Sequence, residues 1–173
     1  MSEYHQKVTS LDQVPKKIAP NGRTSMFYSF CFGQPIATLS ALGKIPHKWE
    51  KLDFVTGMTL VPYEILKNPA SHLLSGYYSG IERQLYEGGY NVDYFPREFH
   101  TFFKPIVEEI RPEWIATVTT PMDSAGNFNF GVTGDLTEWF SKQKIGGGRE
   151  TKVILERNEN MSQIMASTTL VNH

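Results

Sequence analysis

The feature that most constrains the fold of this chain is the alternation of short β-rich runs with segments of helical period. The β-rich runs are bounded by glycine, proline or asparagine, which are residues that end strands. Segments with apolar residues at i, i+3 and i+4 follow most of these runs. Such alternation is typical of a mostly parallel sheet, because a crossover helix brings the chain back to the end of the sheet at which the previous strand began. We therefore predict an open α/β fold, with a mostly parallel sheet covered by helices on both faces, in one domain over residues 1–173.

The individual strands can be placed on the sequence from their composition. Strands are predicted at residues 23–30, 52–58, 91–95, 114–118 and 151–156. Residues 62–75 are ambiguous, and a helical turn that ends at Pro69 fits them. The polar tail after residue 158 contains one further β-like run, at residues 167–171.

The helices are marked by their caps and breaks. Helices are predicted at residues 10–18, 36–43, 79–88 and 99–110, and around Leu136, Trp139 and Phe140. Capping-box patterns begin two of them, at Ser10 to Gln13 and at Ser79 to Glu82. Pro15 and Pro105 are expected to shorten one helix and divide another, and Gly43 and Gly88 to end two.

Charge and composition exclude several classes of function. The 17 basic and 18 acidic residues give a net charge of −1, and the basic ones are scattered, so no nucleic-acid partner is expected. No apolar run is long enough to span a membrane, and the start of the chain lacks a signal-peptide core. The lone Cys31 excludes an internal disulfide. We predict a cytoplasmic protein with no membrane partner.

The most informative loop follows the strand at residues 114–118. It runs from Thr119 to Gly131, is rich in Pro, Asp, Gly and Asn, and precedes the helix at Leu136. A strand that exits through a glycine-bearing loop into a helix presents backbone N–H groups, which suit an anionic or carbonyl-bearing ligand. The alternative is a turn that only connects strand to helix.

Other side chains have a chemical and a structural interpretation. Gln34 could donate a hydrogen bond to a ligand or face solvent, and Arg83 could bind a phosphate or carboxylate or be a solvated charge. Cys31 has no evident base nearby and is interpreted as a buried structural thiol. The five histidines lack metal-ligand spacing, so no metal site is predicted. Gly146 to Gly148 lacks the Lys-Ser/Thr of a phosphate-binding loop and is interpreted as a flexible turn.

Five short motifs, in order along the chain, resemble the acetyl-CoA hydrolase/transferase family, which includes the 4-hydroxybutyrate CoA-transferases. The most specific is Pro121-x-Asp123-x-x-Gly126-x-Phe128-x-x-Gly131, which resembles a family loop that usually has a serine where Thr120 stands. The others are Tyr4 to Lys7 with Thr9 and Ser10, Gly33-Gln34-Pro35 with Leu39 and Ala41-Leu42, Gly80 and Arg83 with Gly89, Asp93, Tyr94 and Pro96, and Glu156-x-Asn158. Met161-Ser162 departs from the family's Met-Pro.

The resemblance implies the amino-terminal half of a CoA-transferase or acyl-CoA hydrolase. In that family a glutamate attacks an acyl-CoA, which gives an acyl-glutamyl anhydride and then a glutamyl-CoA thioester. The nucleophile lies in the family's carboxyl-terminal half, and no glutamate here matches it, so no catalytic residue is assigned. The implied substrate-binding residues are Gly33, Gln34, Pro35, Arg83, Pro121, Asp123, Gly126 and Gly131.

The implied partners are an acyl-CoA, a small carboxylic acid and the carboxyl-terminal half. Coenzyme A is a substrate and no cofactor is expected, and a homo-oligomer is left open. The chain alone is expected to bind weakly and to turn over nothing measurable. Two other hypotheses are a non-catalytic binding or partner module of the same fold and, more weakly, a phosphosugar isomerase-like enzyme, for which no acid and base carboxylates can be located.

Overall fold

In the part of the chain that the structure describes, the sheet has six strands, and every neighbouring pair is parallel. The computed structural model describes residues 7–133 and 151–164. The strands are β1 (Arg23–Tyr28), β2 (Lys51–Thr56), β3 (Ser71–Ser75), β4 (Val92–Tyr94), β5 (Trp114–Thr119) and β6 (Lys152–Arg157). Their order across the sheet is β4-β3-β2-β1-β5-β6. The predicted open α/β fold is confirmed, with a sheet that is entirely parallel.

Helices cover both faces of this sheet. They are α1 (Val14–Ile18), α2 (Ile36–Lys44), α3 (Gly80–Glu87) and α4 (Phe99–Pro105), and α4 continues into a π-helical turn, Ile106–Ile110. Three short 3-10 turns lie at Leu11–Gln13, Cys31–Gly33 and Glu64–Lys67. The division of the 99–110 helix at Pro105 was predicted, because proline cannot donate the interior helical hydrogen bond.

Successive strand residues alternate between two apolar cores. Met26 and Tyr28 of β1 point to one face, with Leu39 and Leu42 of α2, and we call this the α2 face. The other side is the α4 face, where side chains from β1, β2 and β5 meet α4 and the turn after it; its buried members include Phe27, Val55, Ile115, Phe102, Phe103 and Ile106. Because both faces are covered, β1 and β5 show long buried runs rather than alternation with solvent.

Two local predictions were wrong, those for the Ser10 cap and for residues 62–75. Ser10 makes no capping hydrogen bond with its side chain, and Gln13 instead lies near the Thr9 hydroxyl. The strand β3 was missed within residues 62–75, because its short and partly polar run shows no clear period. Helix α2 ends at Lys44, which agrees with the predicted end near Gly43, and a Cβ at Gly43 would lie 2.8 Å from the Ile65 nitrogen, so this glycine also permits close packing.

Several predictions fall outside the described residues. These are the opening motif at Tyr4 to Gln6, the helix around Leu136, the glycine turn at Gly146 to Gly148 and the β-like run at residues 167–171.

Candidate functional site

The strand order reverses between β1 and β5, which defines the candidate site. Beyond β1 the chain leaves through residues 29–35 into α2, and beyond β5 it leaves through residues 120–133. Loops at the carboxyl ends of two strands that lead in opposite directions leave a crevice, where open α/β proteins bind ligands. Two of the predicted motifs, Gly33 to Pro35 and Pro121 to Gly131, therefore meet at one position in the fold.

The loop after β1 packs closely against β5 and its loop. The last pair between the strands joins Tyr28 to Ala116, so β5 extends three residues further, to Thr119. Gly33 fits here because it has no side chain: a Cβ would lie 2.2 Å from Ser29 Oγ and 3.0 Å from Thr133 Cγ2. This contact holds the two loops together.

Gln34 is buried, and both the nitrogen and the oxygen of its side-chain amide form hydrogen bonds within the fold. Its Nε2 donates to the Met58 carbonyl at 2.7 Å, and its Oε1 accepts from the Leu60 N–H at 3.2 Å and the Tyr63 hydroxyl at 3.0 Å. With 2% of its surface exposed it is not solvent-facing, which corrects one of the two interpretations above. In this structure Gln34 ties the loop after β1 to the loop after β2.

The backbone N–H groups from Gly33 to Thr38 are also occupied. Each N–H group in this segment donates to an acceptor within the protein. At the start of α2 the acceptor is a side chain from a distant strand, the Glu156 carboxylate at the end of β6. The acceptors are Phe30 O for Gly33, Cys31 O for Gln34, Gln34 O for Ile36, Glu156 Oε1 for Ala37 and Glu156 Oε2 for Thr38.

Asp123 organises the loop after β5. Its Oδ1 accepts from the N–H groups of Ala125, at 2.9 Å, and Asn127, at 2.8 Å, while the Gly126 N–H donates to the Asp123 carbonyl at 3.1 Å. Gly126 has a φ of +87°, which a residue with a side chain rarely adopts. The N–H of Asn127, with further donors from the same turn, lowers the pKa of the Asp123 carboxyl below its ordinary value.

The far end of this loop contacts the segment after β6. Thr120 and Asn129 bridge the loop through paired hydrogen bonds, and the Asn129 Nδ2 donates to the Ile164 carbonyl at 2.9 Å. Gly131 lies against Met161 and Ser162 so closely that a Cβ would be 2.6–2.7 Å from their atoms. Within the described part of this loop, the N–H groups of Met122, Ser124 and Val132 have no acceptor, so they are open to a ligand.

The remaining predicted residue, Arg83, lies elsewhere. It is exposed on α3, which follows β3, and β2 and β1 separate β3 from β5 in the sheet. The structure therefore brings seven of the eight predicted residues to the strand reversal and leaves Arg83 apart. The role of all eight in binding substrate stays a prediction.

A second polar cluster lies beside α3, and the sequence analysis did not predict it beyond the capping box at Ser79 to Glu82. The Glu82 carboxylate is fully buried and accepts from the Thr59 N–H at 2.6 Å, the Ser75 hydroxyl at 3.1 Å, and both the N–H and the hydroxyl of Ser79. The Thr59 hydroxyl also lies 2.7 Å from the Tyr28 hydroxyl, whose pKa burial raises strongly. This cluster joins the strand ends of β1, β2 and β3.

Exposed apolar side chains surround the strand reversal. They are Phe32 (77% exposed), Leu60, Val132 and Ile164 in the loops after β1, β2, β5 and β6, and Ile36 at the first position of α2. We call these five residues the apolar rim. The loops that carry them touch one another: Leu60 bonds Gln34, Thr133 packs on Gly33, and the Ile164 carbonyl bonds Asn129.

Two further properties concern only residues 7–133 and 151–164. No three His, Cys, Asp or Glu side chains come together there in a way that could hold a metal ion. None of the helices in these ranges is both long and apolar enough to cross a bilayer.

A sequence comparison finds a CoA-transferase. The butyryl-CoA:acetate CoA-transferase of Anaerostipes caccae is 27% identical over 171 aligned positions, which cover 94% of this chain and 36% of that protein. The chain resembles the CoA-transferases. The resemblance drawn from the motifs is thus confirmed, although no family model matches the chain.

Solved structures agree on the fold of this CoA-transferase-like domain. RipA from Yersinia pestis has a TM-score of 0.72 at 20% identity, with 96% of this chain and 39% of RipA covered. The 4-hydroxybutyrate CoA-transferase of Porphyromonas gingivalis has a TM-score of 0.57 at 15% identity, with 96% and 37% covered. The CoA-transferase-like chain thus spans less than two fifths of the length of these relatives.

Proposed function

We propose that this CoA-transferase-like domain helps to exchange CoA between an acyl-CoA and a small carboxylic acid. The observation that carries the proposal is the sequence similarity to a CoA-transferase along 94% of the chain. The structure supports it by placing the family-like loop, Pro121 to Gly131, at the strand reversal, where open α/β proteins bind ligands. Transfer is proposed over hydrolysis because the relative is named for transfer.

In this proposal the domain binds and orients, and a glutamate from a second half of the enzyme reacts. That carboxylate attacks the thioester carbonyl and CoA leaves as the thiolate, which gives the acyl-glutamyl anhydride. The thiolate then attacks the glutamyl carbonyl, which frees the first carboxylic acid and leaves glutamyl-CoA. The open N–H groups of Met122, Ser124 and Val132 are the proposed donors to the oxygen that gains charge.

The proposed surface for the second half is the apolar rim. Phe32, Ile36, Leu60, Val132 and Ile164 lie around the proposed site rather than on a remote face. The relatives are more than twice as long as this chain, so their remaining length is sufficient to cover the rim. A reacting glutamate carried by the second half would then lie directly above the crevice.

The proposal is tested by co-expressing the chain with the remaining length of a related CoA-transferase. The purified complex is supplied with butyryl-CoA and isotope-labelled acetate, and mass spectrometry follows the label. Labelled acetyl-CoA is the expected product of transfer, whereas release of free CoA alone would indicate hydrolysis. Failure to form a complex, together with no loss of butyryl-CoA and no thermal stabilisation by it, would refute the proposal.

Arg83 provides a sharper test of the predicted substrate contacts. Replacing Arg83 with Gln removes an exposed charge that is predicted to bind a phosphate or carboxylate, so KM for the acyl-CoA should rise with little change in stability. Arg97→Gln removes another exposed arginine, which lies over the Phe95 ring, and serves as the matched control. Equal kinetics for the two variants would remove Arg83 from the site.

A non-catalytic binding module of the same fold is the second candidate. The occupied N–H groups from Gly33 to Thr38 favour it, because they leave no preformed group of donors in the loop after β1. This module would bind acyl-CoA, measured by calorimetry, yet show no exchange in any complex. Detectable exchange would rule it out.

A further inference from the structure

The described part of the chain contains one carboxylate that reaches across the strand reversal. Glu156 lies at the end of β6, and its two oxygens accept from the first free N–H groups of α2, Ala37 at 3.0 Å and Thr38 at 2.8 Å. Since β5 lies between β1 and β6, this contact passes over the end of β5. It joins residues 119 positions apart, so no local sequence pattern requires it.

The contact gives the N–H groups at the start of α2 an acceptor and the Glu156 carboxylate two donors. The start of a helix presents N–H groups without helical acceptors and a partial positive charge, and a carboxylate is the side chain that best answers both. Pro35, which precedes α2, has no capping hydrogen bond from its side chain, so Glu156 supplies the cap from another strand. The two oxygens each take one donor, as a bound carboxylate ligand would.

Buried polar side chains surround the contact on the α2 face. Gln34 and Tyr63 are each 2% exposed and hydrogen-bonded to each other, and Thr38 is equally buried. The charge of Glu156 adds to burial in raising the pKa of the Tyr63 hydroxyl, which therefore keeps the proton that it donates to Gln34. Glu156 thus lies next to the residues that fix the Gly33 to Pro35 loop.

We propose that Glu156 is a built-in carboxylate that fills the anion site at the start of α2 and positions the loop after β1. Its consequence is a restriction on ligands. An acyl-CoA or a free carboxylic acid finds the N–H groups at the α2 start occupied. Glu156 is then a positioning residue for the loop after β1. The proposal does not depend on CoA transfer, since it concerns a contact within the chain.

The test removes the carboxylate and offers a small one in its place. In Glu156→Ala the start of α2 is left open, and the melting temperature should fall by about 2–8 °C, the range for a lost helix cap in a chain of this size. Formate, compared with chloride at equal ionic strength, should recover at least half of that loss. Nuclear magnetic resonance should show the Ala37 and Thr38 amide signals returning towards their wild-type positions as formate is added.

The controls separate this role from a general effect of charge or salt. Glu159→Ala removes a nearby exposed glutamate that pairs with Arg157, and it should change neither stability nor the response to formate. Glu156→Gln keeps one acceptor oxygen and fills the space, so it should melt between wild type and Glu156→Ala and show no formate effect. If Glu156→Ala does not fold, the melting temperature of Glu156→Gln relative to wild type still tests the proposal.

Several results would overturn the proposal. One is a Glu156→Ala protein as stable as Glu159→Ala, and another is a destabilised Glu156→Ala protein that formate does not rescue. A third is a wild-type protein that formate stabilises to the same extent, and a fourth is wild-type stability in Glu156→Gln. None of these measurements requires activity, so their failure is distinguishable from the failure of the proposed function.

Discussion

Among single residues, Gly131 is one whose replacement is opposed both by its backbone angle and by its packing. Its φ is +58°, and a Cβ would lie 2.6 Å from Met161 and 2.7 Å from the Ser162 carbonyl oxygen. A left-handed residue with a side chain costs about 1–2 kcal/mol, and overlap with packed atoms adds about 1–3. Gly131→Ala should therefore lower the free energy of unfolding by roughly 2–5 kcal/mol, as measured by urea denaturation.

Gly89 is the matched control for that substitution. It also has a positive φ, +78°, but a Cβ there would meet no atom within 4 Å. Gly89→Ala should cost only the conformational part, about 1 kcal/mol. If the two variants are equally stable, the packing of the loop after β5 against Met161 is not as described.

The pH dependence of the loop after β5 should follow Asp123. Because the N–H of Asn127 and its neighbours lower the pKa of this carboxyl, the ionised form stabilises the turn. The stabilisation is complete above the unfolded pKa, about 3.9, and is lost as the pH falls through the lower folded pKa. The protection of the Ala125 and Asn127 amides against hydrogen exchange, relative to the intrinsic rate at each pH, should fall at the acidic end, and the carboxyl carbon should titrate below a peptide reference. Asp123→Asn should remove that pH response while retaining an acceptor oxygen.

For single residues, the sequence predicted unusual backbone angles more readily than it predicted the hydrogen-bond partners of side chains. Gly126 and Gly131 were found because a glycine-rich strand exit indicates unusual backbone angles, and both have positive φ. The partners of Gln34 and Glu156 were not predictable, since they lie on loops and strands distant in the chain. Resemblance singled out Glu156 as part of a motif, but only the fold shows what it binds.

At the scale of elements, α3 has the best-defined start. Ser79 and Glu82 form the predicted capping box, and the same carboxylate also accepts from Thr59 and Ser75 while fully buried. Removing the Glu82 carboxylate leaves buried donors without an acceptor. Glu82→Ala should therefore lower the free energy of unfolding by about 3–5 kcal/mol. Glu87→Ala, exposed at the end of the same helix, should change it by less than about 0.5 kcal/mol. Chemical denaturation compares them, and equal stability would mean that the cluster contributes nothing.

Element prediction succeeded where two signals agreed. The strands β1, β2, β5 and β6 combine apolar β-rich runs with glycine or proline at their ends, and α3 has both a cap and a terminal glycine. Prediction failed for β3, whose polar Ser71, His72 and Ser75 resemble a loop. Their polarity is accommodated by the fold: the Ser71 hydroxyl donates to Ile65, Ser75 donates to Glu82, and His72 lies between two aspartates of neighbouring strands. Those partners come from other elements, so the segment alone does not reveal them.

At the scale of the whole molecule, the sequence could predict the class of fold but not the order of its strands. Alternation of strands and helices implies parallel pairing. The reversal between β1 and β5 depends instead on the side of the sheet to which each crossover adds the next strand, and the sequence does not show this. That reversal explains why two motifs almost ninety residues apart, at Gly33 and Pro121, form one candidate site. The apolar rim arises in the same way, because each of its loops contributes only one or two exposed side chains.

The rim should govern how the whole molecule associates. An exposed apolar surface favours contact with itself when its partner is absent, so the isolated chain should self-associate with rising concentration in analytical ultracentrifugation. Phe32 and Val132 are 77% and 54% exposed, so changing both to Ser should reduce this association with little loss of stability. The same double variant should also weaken binding to the second half of a related CoA-transferase. Tyr86→Ser removes a 62% exposed ring on α3, outside the rim, and should affect neither property. A chain that stays monomeric at every concentration, or equal effects of the rim and Tyr86 variants, would show that the rim is an ordinary solvated surface and would leave the second half without a docking site here.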